Sequence, residues 1–359
     1  MSLAPFARLF CCSKVEGGLH LRQPWRLLFS AAVGIGAFLL CGTQLHGQSA
    51  VKSAVGRIVT DETGRRVMVP AEVKRIVTLA PDLTETIYAL GLDERLAGDT
   101  EICDTPPAAK TKPHVGTPIS PNLETIVALH PDFVLATTSI NRRETVDALR
   151  RLGIAVYTSD PHTVGGMLYS ISQIAELTGA GERGAAVVAQ LRARLDALHT
   201  HLADLTLVHV LFVVWEDPLI TIGQNTFIAD ALRWAGAESV ILSKQNWPRV
   251  GLEEVMRLQP EYIILTSDHM KSEGDGSGDL RKRPGWKELR AVELGRVVVI
   301  SEGMDRPAPG LTDAIEELAH ALHPDAFKLD SEHGKVKVEH GVRLHAEGAA
   351  TKEPCPCAL

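Results

Sequence analysis

The side chains able to do chemistry are few and dispersed along this chain. No Gly-x-Ser-x-Gly nucleophile elbow occurs. Val164-Gly165-Gly166-Met167 opens a helical stretch but lacks the further glycines and the lysine of a phosphate loop. His114, His130, His162 and His269 are scattered, and His199 and His201 are too close together to share one helical face. A zinc or manganese centre would need such groups to converge, so no metal is expected. What remains is recognition chemistry. Aromatic residues make up only 5% of 359 residues, so each tryptophan asks for a reason. Trp247 stands between Asn246 and Pro248 in a loop, where an aromatic face more often meets a ligand than a core. Trp215 and Trp286 fall in other loop-like segments, whereas Trp234 sits in a helical run and reads as core. The expectation is a binding protein and not an enzyme.

Two acids mark the strongest internal pattern. The segment LETIVALHPDFVL at 123–135 aligns without gaps on LEEVMRLQPEYII at 252–264, a spacing of 129 residues. Each copy reads as a short helix opened by Leu-Glu, a Pro-acid turn, and a buried strand. Glu124 and Glu253 therefore hold equivalent places, and two structurally equivalent lobes follow. A glutamate in a first helical turn is ordinarily explained by the helix dipole. Two of them at matched positions on two lobes point to a shared external role.

The elements that must hold these residues alternate. A hairpin is expected over 56–70 with its turn at 61–64. Strands follow at 75–79, 133–137 and 154–158, and helices at 83–90, 123–129 and 143–152. Such alternation implies parallel strands covered by helices. Leu191, Leu195, Leu198 and Leu202 keep one face of a helix over 182–202, which at 1.5 Å per residue is roughly 30 Å long and able to cross between lobes. The run LVHVLFVV at 207–214 is the continuous apolar pattern of a strand buried on both faces and opens the second α/β half. The expected fold is α/β, with two Rossmann-like lobes joined by one long α-helix and a ligand cleft between them. The expected divisions are an N-terminal lobe at 57–162, a connecting helical segment at 163–205, a C-terminal lobe at 206–327 and a disordered tail at 328–359.

Charge and the N-terminus set the compartment. A formal net charge of −7 excludes a basic face that tracks nucleic-acid phosphates. Arg22 and Arg26 precede the apolar run LLFSAAVGIGAFLL at 27–40, and a polar stretch follows. That order is a secretory signal, or an N-terminal anchor, over 1–49. The run is short beside the about 20 apolar residues of a spanning helix. Gly47 and Ser49 suit cleavage after Ser49, and bulky Leu40 disfavours lipidation at Cys41. Cys103 is then the lone body cysteine, while Cys355 and Cys357 lie in the polar tail, so no disulfide framework is expected.

Several blocks in order now carry a resemblance. In the first half they are RIVTLAPDLTE at 75–85, Cys103-Asp104-Thr105-Pro106, Val115-Gly116, Asn122-Leu123-Glu124 and Pro131-Asp132. In the second half they are Trp215-Glu216-Asp217-Pro218, Phe227-Ile228, Ala235-Gly236, Trp247-Pro248, Leu252-Glu253, Pro284-Gly285-Trp286, Arg296-Val297-Val298, Arg306-Pro307-Ala308-Pro309 and His323-Pro324. From about 57 to 327 the chain resembles the periplasmic substrate-binding proteins of ABC importers for vitamin B12, haem and ferric siderophores, and the Cys-Asp-Thr-Pro and Trp-Pro blocks most resemble the cobalamin branch. The resemblance implies that a ligand sits between the lobes and that Glu124 and Glu253 dock onto arginines of a permease carried with its ATPase.

It also implies a corrinoid ligand, a flat ring with an apolar face and an amide rim. Trp247, Trp215 and Trp286 would meet the face. Asp104, Asn141, Asp217, Gln224 and Arg306 would meet the rim. No cofactor beyond the transported ligand is implied, and the protein is expected in the periplasm as a monomer. Haem or a ferric siderophore is the alternative, with His162 or His269 as an iron ligand. A metal-chelatase-like enzyme has similar lobes but needs a convergent His/Glu site, which this sequence lacks. Cobalamin binders often carry aromatics in the first-lobe cleft loops, where this chain has Ile102, Pro118 and Thr137.

Overall fold

The computed structural model describes residues 56–267 and 280–328. The expected export segment at 1–49, His269 and the tail cysteines Cys355 and Cys357 lie outside these residues. Among the described residues, no helix is long and apolar enough to cross a membrane.

Strands β1 (Arg57–Thr60) and β2 (Arg66–Val69) form the expected antiparallel hairpin. Its turn is built by Asp61, whose Oδ1 accepts from Thr63 N, Thr63 Oγ1 and Arg65 N. Glu62 fastens the hairpin to the first lobe. Its carboxylate accepts from the Asp160 amide at 2.8 Å, Ser170 Oγ at 2.7 Å and Tyr157 OH at 3.2 Å.

The first lobe is a parallel sheet of β3 (Ile76–Thr78), β4 (Leu96–Gly98), β5 (Phe133–Thr137) and β6 (Val156–Ser159), in the order β4-β3-β5-β6. The second lobe holds β7 (Val208–Glu216), β8 (Leu219–Thr221), β9 (Ala237–Ser239), β10 (Tyr262–Thr266) and β11 (Val297–Ile300). Its path is β11-β10-β7-β8 with β9 on β7, and all pairings are parallel except β7 with β8. Both sheets are covered on two faces, as the period of two shows. Phe133 and Leu135 enter one core while Val134 and Ala136 enter another, and Phe212 and Leu211 divide in the same way.

Helices α1 (Pro81–Ala89), α2 (Leu123–Ala128) and α3 (Arg143–Arg151) belong to the first lobe. Helices α6 (Phe227–Trp234), α7 (Leu252–Leu258), α8 (Arg290–Glu293) and α9 (Leu311–Leu322) belong to the second. Between them run α4 (Val164–Thr178) and α5 (Gly181–Leu202). The chain reverses at Gly179, whose φ of 76° requires the left-handed region. Gly184 then lies so close to α4 that an added Cβ would stand 2.3 Å from that of Ala175.

The connecting helix is α5. Near its start Arg183 donates to the Ala89 carbonyl of the first lobe. Farther along, Arg194 donates to Glu316 at 2.9 and 2.6 Å and to Asp313 on α9 of the second. Leu191, Leu195, Leu198 and Leu202 are its buried face, as their spacing predicts. They join one apolar core that runs from Ile87 and Leu90 through α4 and α5 to Leu232 and Leu318. A continuous core across the junction resists wide hinge motion.

The repeat is visible in the backbone. Strands β5 and β10 occupy equivalent positions of the two copies. Among the described residues only His130 (φ 47°) and Gln259 (φ 44°) are non-glycine residues with positive φ, and they are equivalent too. The acid after each proline also does the same work. Asp132 accepts from the Lys74 and Arg75 amides at the start of β3, and Glu261 accepts from the His209 amide in β7.

Candidate functional site

In sheets of this kind ligands bind where loops leave the carboxyl ends of parallel strands. Here those ends converge on the junction between the lobes. Asp104, on the loop after β4, meets Arg306, on the loop after β11, at 3.4 Å. Glu85 on α1 accepts from the Gly310 amide at the start of α9 at 2.5 Å. Asp230 on α6 accepts from the Val164 amide at the start of α4 at 2.8 Å. The first two contacts tie the lobes to each other, and the third ties the second lobe to the connecting segment.

Several acids of this region gather around Arg306. Arg306 sits 3.6 Å from Glu302 as well, and its charge also acts on Asp82 and Glu85. Asp82 is pushed up to about 7, first by burial and then by Glu85, against the favourable pull of Arg306. Burial raises Glu85 in the same way. Asp104 and Arg306, read from the sequence as ligand-rim residues, thus engage each other, though Asp104 keeps about a third of its side chain open.

The tryptophans divide. Trp215 and Trp247 are exposed, at 51% and 44%, on the second lobe. The Trp215 indole donates to the Asp217 carbonyl at 2.9 Å, which fixes its plane at the β7–β8 turn. The 245–250 loop is zipped along β8 and the turn after it. Thr221 N–H donates to the Pro248 carbonyl and Gly223 N–H to that of Asn246. Trp247 is therefore presented from an anchored loop. Trp286 differs from the expectation of a cleft-facing aromatic. It is only 6% exposed and packs in the second-lobe core with Val255 and Leu289. The reason is local: short-range backbone bonds from Trp286 to Arg283 and from Leu289 to Trp286 coil the segment inward beneath α7. Trp234 packs against the main core and His199, as expected.

Beside Trp215 lies a recess of about 710 Å³ lined by Glu216, Asp217, Arg249, Arg283 and one wall of Trp286. Arg283 Nη1 pairs with Glu216 Oε2, and burial raises the Glu216 carboxyl while Arg283 offsets part of that rise. Sequence reading missed this pair because its partners lie far apart in the chain. Asn141, another expected rim residue, is also reassigned. It is buried, its amide nitrogen donates to the Leu79 and Pro118 carbonyls, and its oxygen accepts from Thr137 N–H, so it braces first-lobe loops. Gln224 lines a second cavity of about 440 Å³ together with His162 and Asn246.

Glu124 and Glu253 lie exposed in the first turns of α2 and α7. Asn122 caps α2 by accepting from Thr125 N–H at 3.1 Å, while α7 has no side-chain cap. Neither glutamate forms an ion pair with another described residue. Among the described residues no group of three His, Cys, Asp or Glu side chains could hold a metal ion.

Residues 76–302 match the family model described as periplasmic binding protein. The chain belongs to that family. Periplasmic binding proteins of this kind are the substrate-binding components of ABC importers, and the family acts outside the cytoplasm in transport. The chain is 30% identical over 317 residues to YvrC of Bacillus subtilis, an uncharacterized ABC transporter substrate-binding lipoprotein, covering 85% of this chain and 98% of that one. It is 29% identical over 255 residues to the vitamin B12-binding protein of Vibrio cholerae, covering 70% and 90%. The crystal structure of a Vibrio cholerae protein of that name superposes with a TM-score of 0.63 at 28% identity, over 71% of this chain and 98% of that chain. The haem-binding protein RhuT of Roseiflexus superposes equally well, at 0.63 and 25% identity, over 71% and 99%.

Proposed function

We propose that this periplasmic binding protein carries a corrinoid to an ABC importer, acting as a monomer in the periplasm and catalysing no reaction. The observation that supports a corrinoid most is the pairing of exposed Trp215 and Trp247 on the second lobe with few free iron ligands. An apolar ring face needs aromatic surface, and a haem iron needs an axial His, Tyr, Met or Cys. The four tyrosines sit in α1, β6, α4 and β10, away from the cleft loops, and Cys103 and Met304 are buried. His162 lines the cavity that holds Gln224 and Asn246, and its Nε2 lies 3.2 Å from Asp160. That histidine is what favours haem as the second reading.

Glu124 and Glu253 dock the loaded protein onto permease arginines in this proposal. Their equivalence in the repeat and their exposure support it, since charge-assisted Arg–carboxylate pairs suit a transient polar interface. Purification from the native host, with the absorption spectrum and mass of any bound molecule, tests the ligand. A corrin chromophore is expected, and a haem Soret band would contradict the assignment.

A further inference from the structure

The cavity between His162 and Asn246 has a chemistry of its own. One wall comes from His162, at the end of the first lobe, and Thr163, which caps α4. The other comes from the second lobe, at Gln224, Asn225 and Asn246. It lies where Asp230 of α6 holds the Val164 amide at the start of α4.

The two loops carrying the amides form a rigid frame. Gly223 N–H donates to the Asn246 carbonyl and Gln224 N–H to that of Ser243, each at 2.9 Å. Thr226 Oγ1 donates to the Gly223 carbonyl and accepts from Ala229 N–H, closing the turn onto α6. The loops approach so closely that a Cβ on Gly223 would stand 1.8 Å from the Gln245 carbonyl oxygen. The backbone polar groups are thus committed to each other. The side-chain amides of Gln224, Asn225 and Asn246 are exposed and make no hydrogen bond with other described residues.

Each carboxamide offers two donors and an acceptor and no charge. The charged groups facing the cavity are one of each sign, Asp230 and Arg233; titratable His162 also lines it, with the Asp160 carboxylate 3.2 Å from its Nε2, and Asp230 is already engaged by Val164 N–H. The wall therefore matches groups that both donate and accept. It supplies no net positive charge to offset carboxylates.

We infer that this cavity is a subsite for the neutral carboxamide groups of the ligand's rim, and that Gln224, Asn225 and Asn246 set the preference for amides over carboxylates. The inference rests on the reading of the interlobe cleft as the ligand site. A ligand seated there touches both lobes, so the same contacts hold the cleft closed.

The test is calorimetric titration of the full chain with amidated cobinamide and with cobinamide whose rim amides are hydrolysed to carboxylates. Wild type is expected to prefer the amidated form at least tenfold. Gln224→Leu with Asn246→Leu is expected to lose at least tenfold in affinity for it and to abolish the preference. Asn225→Ala, outside the β8 zipper, keeps the test informative if the double variant does not fold, and it is expected to weaken binding and narrow the preference. Cobinamide binding of equal strength for both forms, or unchanged by any of the substitutions, overturns the subsite while leaving the corrinoid reading in place. No cobinamide binding to wild type overturns both.

Discussion

Arg306 of the second lobe lies 3.4 Å from Asp104 of the first, and this contact is one part of a larger charge arrangement. The same guanidinium serves Glu302 at 3.6 Å and acts on buried Asp82 and Glu85. The Asp104 pair is long and partly exposed, so by itself it contributes below about 1 kcal/mol. Arg306, by contrast, acts on four acids.

The first prediction follows from that asymmetry. At pH 8, where Asp82 is ionised, Asp104→Asn is expected to cost below about 1 kcal/mol, and Arg306→Met about 2–4 kcal/mol, because the latter leaves a buried carboxylate without a counter-charge. Urea denaturation of the two variants and their double mutant measures both terms. Equal costs would show that Arg306 serves Asp104 alone.

The second prediction concerns pH. A carboxyl whose folded-state pKa is raised keeps a proton that the unfolded chain releases. Its contribution to stability is therefore greatest below the unfolded value and falls as pH rises to the folded one. Burial lifts Asp82 from 3.8 to about 7, and Asp99 from 3.8 to about 6 against the hydrogen bond from His114. Stability should decline between about pH 4 and pH 7. Asp82→Asn should remove up to about 3 kcal/mol of that decline. Denaturation midpoints across this range decide it. A profile of Asp82→Asn parallel to that of wild type would contradict the role of Asp82.

The third prediction is the docking pair. Glu124→Arg with Glu253→Arg should abolish uptake in cells carrying the cognate importer while leaving ligand affinity of the isolated protein within twofold. Each residue is exposed in the first turn of its helix and lines neither of the cavities described above. Normal transport by the double variant would reduce both to helix-start acids.

Much of this was legible in the sequence where the signal was local or repeated. The aligned segments at 123–135 and 252–264 anticipated two equivalent helix-turn-strand units. The four leucines of α5 marked the connecting helix and its buried face. The positive φ of His130 and Gln259 was not legible, since neither turn carries the glycine that ordinarily signals it. The failure at Trp286 has a physical cause: an aromatic after Pro-Gly looks like a loop residue, and only the packing of α7 above it makes it core. Arg306–Asp104 and Glu216–Arg283 join residues far apart in the chain, so composition and spacing give no hint of either pair. The amide frame escaped notice for a related reason, because Asn225 and Asn246 acquire meaning only when the β8 zipper brings their loops together.

The central claim is that the cleft takes a corrinoid against an aromatic surface on the second lobe. Calorimetric titration of the purified protein with cobalamin, cobinamide, haemin and a ferric siderophore tests it most directly. A corrinoid should bind at micromolar concentration or tighter, and Trp247→Ala should weaken it by about 1–3 kcal/mol, the usual worth of a lost aromatic anchor. Haemin binding that disappears with His162→Ala, together with no corrinoid binding, would contradict it.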